Sequence, residues 1–112
     1  MQITTGFYYH YKHDPNGVVN NYAYEVLGVG YHTEKEEGSP DKYVVVYRAL
    51  YESGSYLDGK MFAIRPYDMF TEQVEVGGAM VPRFRLVDDA GVIGELERVR
   101  DAMYPFNPLK LT

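Results

Sequence analysis

A chain of 112 residues with a net charge of −5 and no cysteine is long enough for one modest core and too short for two. It excludes a disulfide framework and a thiolate metal site. The acidity and the scattering of its eleven basic residues weigh against nucleic acid and against an anionic membrane surface, both of which are held by clustered Lys and Arg.

No apolar run approaches the ~20 residues that a spanning helix needs. The opening "MQITTGFYY" lacks the basic-then-apolar pattern of a signal peptide. The expectation is a soluble, cytoplasmic protein with no membrane association. Twelve tyrosines without a tryptophan suit half-buried strands, because the ring is apolar and the hydroxyl asks for a partner.

In chain order, "FYYHYKH" (7–13) reads as a first strand. "DPNG" (14–17) is a turn, with Pro15 presetting one dihedral and Gly17 able to accept a positive φ. "YAYEVLGVGYHT" (22–33) is a long strand whose Gly28 and Gly30 signal a bulge or bend. A charged loop (34–42) leads to a third strand, "YVVVYRALY" (43–51). "SGSYLDG" (53–59) turns the chain back into a fourth strand, "KMFAIR" (60–65), stopped by Pro66. "PYDMF" (66–70) forms one helical turn with Pro66 at its first position. "EQVEVGGAMVPRFRLV" (72–87) is a hairpin about Gly77-Gly78, with Pro82 forcing an edge or a bulge.

The remainder is helical. Val92, Leu96, Val99 and Met103 recur at helix spacing, Asp88 or Asp89 caps the start, and Pro105 ends it. The fold expected is mainly β: a small, SH3-like, partly open barrel of about five strands (1–87), with a C-terminal helix and tail (88–112). The helix is expected to cover an open end of the barrel. A homodimer contact is the alternative use of its apolar stripe.

The segments "GFYYHYK", "YEVLGVGYHTE", "VVVYRALY", "IRPYDMF" and "VEVGGAMVPRF", in this order, resemble the bacterial and phage family called domain of unknown function 1653, over about residues 6–87. The resemblance implies one compact barrel-like domain and names no reaction. Against that pattern, residues 13–22 look like an insertion in a tighter hairpin. Tyr9 and Tyr31 stand where arginine is usual, and Ala63 stands where tryptophan is common.

Two arginines interrupt apolar strands. Alternation puts Arg48 with Val44, Val46 and Leu50, the face expected toward the core or the barrel mouth. A buried guanidinium requires partners, so Arg48 is either a strut to Glu25, Asp68 or a carbonyl, or an anchor for an anionic ligand. Arg65 has the same two readings, with the strut favoured.

His10 and Lys12 share a strand face while His13 points away, so these histidines do not converge on a metal. The serines lack a nucleophile elbow. Gly28-Val29-Gly30 is no dinucleotide fingerprint, and no carboxylate pair is suited to acid–base work. No catalytic residue, metal or cofactor is therefore assigned from the sequence.

What remains is a cationic and aromatic candidate binding site: His10, Lys12, Tyr24, His32, Arg48, Tyr51 and Arg65. The favoured function is a non-enzymatic module binding a small anionic ligand or a protein or peptide partner. The alternatives are a sequestering binder of a nucleotide-like molecule, and a small enzyme using His10 or His32 as general base.

Overall fold

The structure, a computed structural model, describes residues 3–52 and 62–105. The elements in order are β1 (Gly6–His10), β2 (Ala23–Tyr31), β3 (Tyr43–Ala49), β4 (Ala63–Pro66), α1 (Tyr67–Thr71), β5 (Gln73–Val76), β6 (Ala79–Pro82), β7 (Phe84–Leu86) and α2 (Ala90–Met103). One antiparallel sheet runs β4-β3-β2-β1-β7, and β5-β6 form a separate ribbon. The protein is mainly β, curled and not closed, with a C-terminal helix. The expected turn at 53–59, the first residues of the expected fourth strand and the tail from 106 lie outside the described residues.

Several local signals act as expected. The ladder between β2 and β3 shifts register between Val26 and Gly28, which is the bulge that the strand glycines announced. Gly77 and Gly78 adopt φ of 58° and 85°, the two left-handed residues of a type I′ turn between β5 and β6. Asp89 caps α2, its Oδ1 accepting from the Val92 amide at 3.0 Å.

Others differ. The 72–87 segment breaks at Arg83: β6 stays with β5, while β7 crosses to the main sheet as the outer neighbour of β1. Pro82, which has no amide hydrogen, closes β6 at that break. Pro66 precedes the first helical residue as N-cap. Gly17 is not at positive φ. The 14–17 turn is closed instead by its own amide bonding to the Asp14 carbonyl and by the Asp14 carboxylate accepting from Asn16. The side-chain amide of Asn21 then ties both Asp14 and Val18, so the 11–22 excursion is held by its own polar groups.

The sheet is apolar on both faces because β1 carries three consecutive rings, Phe7, Tyr8 and Tyr9, all buried. One set of side chains lines the curled interior: Tyr8, Tyr24, Val26, Val45, Tyr47 and Ala49, closed by Phe70 from α1 and Phe84 from β7. Phe70 and Phe84 stack at 4.1 Å and 3°, so the one-turn helix acts as the carrier of an interior ring. The opposite face presents Phe7, Tyr9, Ala23 and Leu50, and α2 covers it with Leu96, Val92, Ile93 and Val99.

This corrects two expectations. The helix covers the outer face of the sheet, not an open end. The interior is the tyrosine-bearing face of β3, so Arg48 lies on the outer face beneath the helix. Both faces of these strands are apolar, and alternation alone does not say which curls inward.

Leu96 is fully buried where α2 meets the sheet. Leu96→Ala should lower the unfolding free energy in urea by about 3 kcal/mol, the cost of a lost buried leucine plus its cavity. A cost near zero would mean that α2 is not docked on its own sheet.

Candidate functional site

The two arginines of the apolar strands end in opposite environments. Arg48 is 9% exposed and donates through Nε to Glu25 Oε1 at 2.9 Å, with a second nitrogen equally close. The other oxygen of Glu25 accepts from Arg100 of α2 at 3.1 Å. The Tyr104 ring lies 4.1 Å from the Arg48 guanidinium carbon, and its hydroxyl donates to the Ala49 carbonyl at 2.6 Å. Glu25 and Arg48 face each other across the β2–β3 ladder. Arg48 is thus a strut that binds β3, β2 and α2 together, and its fork is engaged.

Arg65 sits on β4 opposite Val45 and therefore on the interior face. Its Nε donates to the Tyr47 hydroxyl at 3.3 Å, and its guanidinium carbon lies 5.6 Å from the centre of the Phe84 ring. No carboxylate among the described residues pairs with it. This reverses the expectation that Arg65 is the more tightly braced of the two.

Around Arg65 the interior mouth is aromatic. Tyr24 and Tyr51 share a short hydroxyl–hydroxyl hydrogen bond, and Tyr24 meets Phe84 and Tyr47 edge-on. The His10 ring lies 5.2 Å from Phe84 and 5.6 Å from Tyr22, and Tyr22 is 5.7 Å from Tyr51. Tyr22 holds φ of 51°, a left-handed backbone that a bulky residue seldom adopts. Its carbonyl is pinned by the His10 amide at 3.0 Å.

His10 Nδ1 accepts from the Lys12 amide at 3.2 Å, so in the neutral ring the proton is on Nε2. Burial pushes the His10 pKa down to about 4, and the charges of Arg83, Lys12 and Arg65 push it the same way. Every charged group felt by His10 is a cation. Arg83 is itself paired with Glu72, which leaves Lys12 and Arg65 without an ion-pair partner among the described residues.

Of the residues expected at the site, His10, Tyr24, Tyr51 and Arg65 converge, with Lys12 exposed at the rim. Arg48 is on the other face. His32 lies in the loop at the far end of β2, ~30 Å along a nine-residue strand, where its Nδ1 accepts from the Glu34 amide. Tyr22, Tyr47, Phe84 and Arg83 join the site unannounced. Only strand pairing brings Phe84 and Arg83 there, although Tyr22 beside Asn20-Asn21 carried a local hint of a turn. Of the three substituted positions Tyr9, Tyr31 and Ala63, only Ala63 packs against the interior. Tyr9 is on the outer face and Tyr31 is exposed.

The family described as "Protein of unknown function (DUF1653)" matches residues 6–86, and the chain belongs to it. No curated protein and no solved structure matches the chain. Among the described residues no helix is long and apolar enough to cross a membrane.

Two outcomes follow from these environments. Arg48→Gln should cost about 3 kcal/mol in urea unfolding, because it strands a buried carboxylate oxygen, and Arg100→Gln should cost roughly 1 kcal/mol, because Arg100 is half-exposed. Equal costs would contradict the central place of Arg48.

The second concerns pH. The folded state holds His10 neutral down to about pH 4, whereas an unfolded histidine gains its proton near 6.5. Its contribution to stability is full above pH 6.5 and is lost as pH falls from there toward 4. His10→Gln should flatten the pH dependence of unfolding in that window, and an unchanged slope would place His10 in water.

Proposed function

Proceeding from a family without an assigned reaction, we propose that the chain is a non-enzymatic binding module whose interior mouth takes a small, planar, anionic molecule. The observation that carries this reading is Arg65. It is a half-buried guanidinium among aromatic rings, with a single tyrosine hydroxyl as its hydrogen-bond partner and no carboxylate among the described residues.

The half-exposed rings of Tyr22 and Tyr51 supply stacking for a ring. Arg65 and Lys12 supply the charge that a phosphate or carboxylate seeks. The same cations repel an ammonium group, which separates this arrangement from an aromatic cage for methylated lysine. In this reading the barrel is SH3-like, acts in the cytoplasm and sequesters a nucleotide-like ligand at its open end.

The position of the His10 pKa supports binding over catalysis. A general base works best with a pKa near the operating pH, and a histidine held at about 4 is a weak base at neutrality. As a neutral Nε2 donor it is suited to hydrogen-bonding an anion.

A panel of nucleoside monophosphates, cyclic nucleotides and small carboxylates should contain compounds that raise the melting temperature. A ligand at a hundredfold over its Kd adds ~2.7 kcal/mol. The uncharged nucleosides should give much smaller shifts, and Arg65→Gln should abolish the response while Arg48→Gln, though less stable, retains it. No shift from any anion, or a shift that survives Arg65→Gln, would refute the proposal.

A further inference from the structure

On the outer side of β1, a cleft of about 340 Å³ opens between the end of that strand and the β5–β6 ribbon. That volume is at the low end of the range for small-molecule sites. One wall is apolar and comes from the ribbon: Val76, Val81 and Pro82. The Gly77-Gly78 turn fixes the ribbon, and Val81 is in register with Val74.

The other wall is aromatic and braced. Tyr9 and His13 stack at 3.5 Å and 15°. The Tyr9 hydroxyl donates to the Val19 carbonyl at 2.6 Å, and His13 Nδ1 donates to the Asn21 carbonyl at 2.6 Å. The bond from Nδ1 fixes the tautomer and leaves Nε2 as an acceptor in the neutral ring. Tyr11 continues this wall, with its ring 4.4 Å from that of His10.

The charge pattern is one-sided. Arg85 lines the cleft with its guanidinium carbon 5.9 Å from the Tyr9 ring centre, and it has no ion-pair partner among the described residues. No Asp or Glu lines the cleft, in a chain with a net charge of −5. Glu95, which acts on the Tyr9 hydroxyl, belongs to α2 and is not part of the lining. A guanidinium fork without a carboxylate matches a carboxylate in geometry as well as in charge. A lining of valines on one side and rings on the other matches an aromatic system.

We infer that this cleft is a second binding site, separate from the interior mouth, for an aromatic ring system of one or two fused rings carrying one carboxylate. The carboxylate pairs with Arg85 and the ring lies against Val76, Val81 and Tyr11. His10 borders both sites and is the partition between them.

The test is an NMR titration of the full chain, isotopically labelled, with indole-3-carboxylate. Indole and the cationic analogue tryptamine serve as controls. The carboxylate should give saturable shifts centred on Val76, Val81, Tyr11 and His13. Arg85→Gln, an exposed substitution, should weaken binding at least tenfold. Val81→Trp should abolish it by filling the slot, and Arg65→Gln should leave it unchanged.

Equal binding of tryptamine, an unchanged affinity in Arg85→Gln, or no saturable shift would overturn the inference. Shifts confined to Tyr24, Tyr51 and Arg65 would also overturn it, while leaving the proposed function of the mouth standing.

Discussion

The carboxylate of Glu25 is the interaction on which the arrangement of this molecule depends. One oxygen takes the fork of Arg48 on the neighbouring strand and the other takes Arg100 on the C-terminal helix. Arg48 is buried on that carboxylate and covered by the Tyr104 ring. Arg100 stands at the edge, partly in water, and shares its charge between Glu25 and Asp101. Two strands and a helix distant in sequence are joined at a single group. The helix is therefore fixed in direction as well as held by its apolar stripe.

The interior face of the same sheet carries Arg65, with His10 at its end. Its polar groups are treated in the opposite manner. Arg65 meets rings and a hydroxyl where Arg48 meets a carboxylate, and the charges that act on His10 are those of Arg83, Lys12 and Arg65. A structural site resolves its charges, as the Glu25 site does. A site that leaves like charges together, with no opposite one among the described residues, forgoes stability, and the proposed function rests on that contrast.

Much of the fold was legible from local chemistry. The Gly77-Gly78 turn, the bulge at Gly28, the Asp89 cap and the stripe through Leu96 each depend on residues close in sequence, and each is where the pattern put it. The face assignment was not legible. "GFYYH" and "VVVYRAL" are apolar on both sides, so period-2 alternation separates two sets of residues without telling which one curls inward.

That ambiguity moved Arg48 to the wrong side and hid the strut's second partner, since nothing local connects Glu25 with Arg100. The site was half legible for the same reason. His10, Tyr24, Tyr51 and Arg65 were chosen as polar or aromatic residues on strands. Phe84 and Arg83 reach them only because β7 crosses to pair with β1, a pairing that the uninterrupted run from 79 to 87 concealed. The strained position was also misplaced: Gly17 was the natural candidate for a left-handed backbone, and the 11–22 excursion puts Tyr22 there, at the rim of the mouth.

The claim that one arginine is spent on the fold and the other is kept for a ligand is tested most directly by the arginine Nε–H resonances during titration with adenosine monophosphate. The account predicts that the Arg65 resonance moves and saturates, while those of Arg48 and Arg100 stay slow to exchange and unmoved. Movement of Arg48 with Arg65 unaffected would contradict it, and would return the strand-crossing arginine to the role of anion anchor.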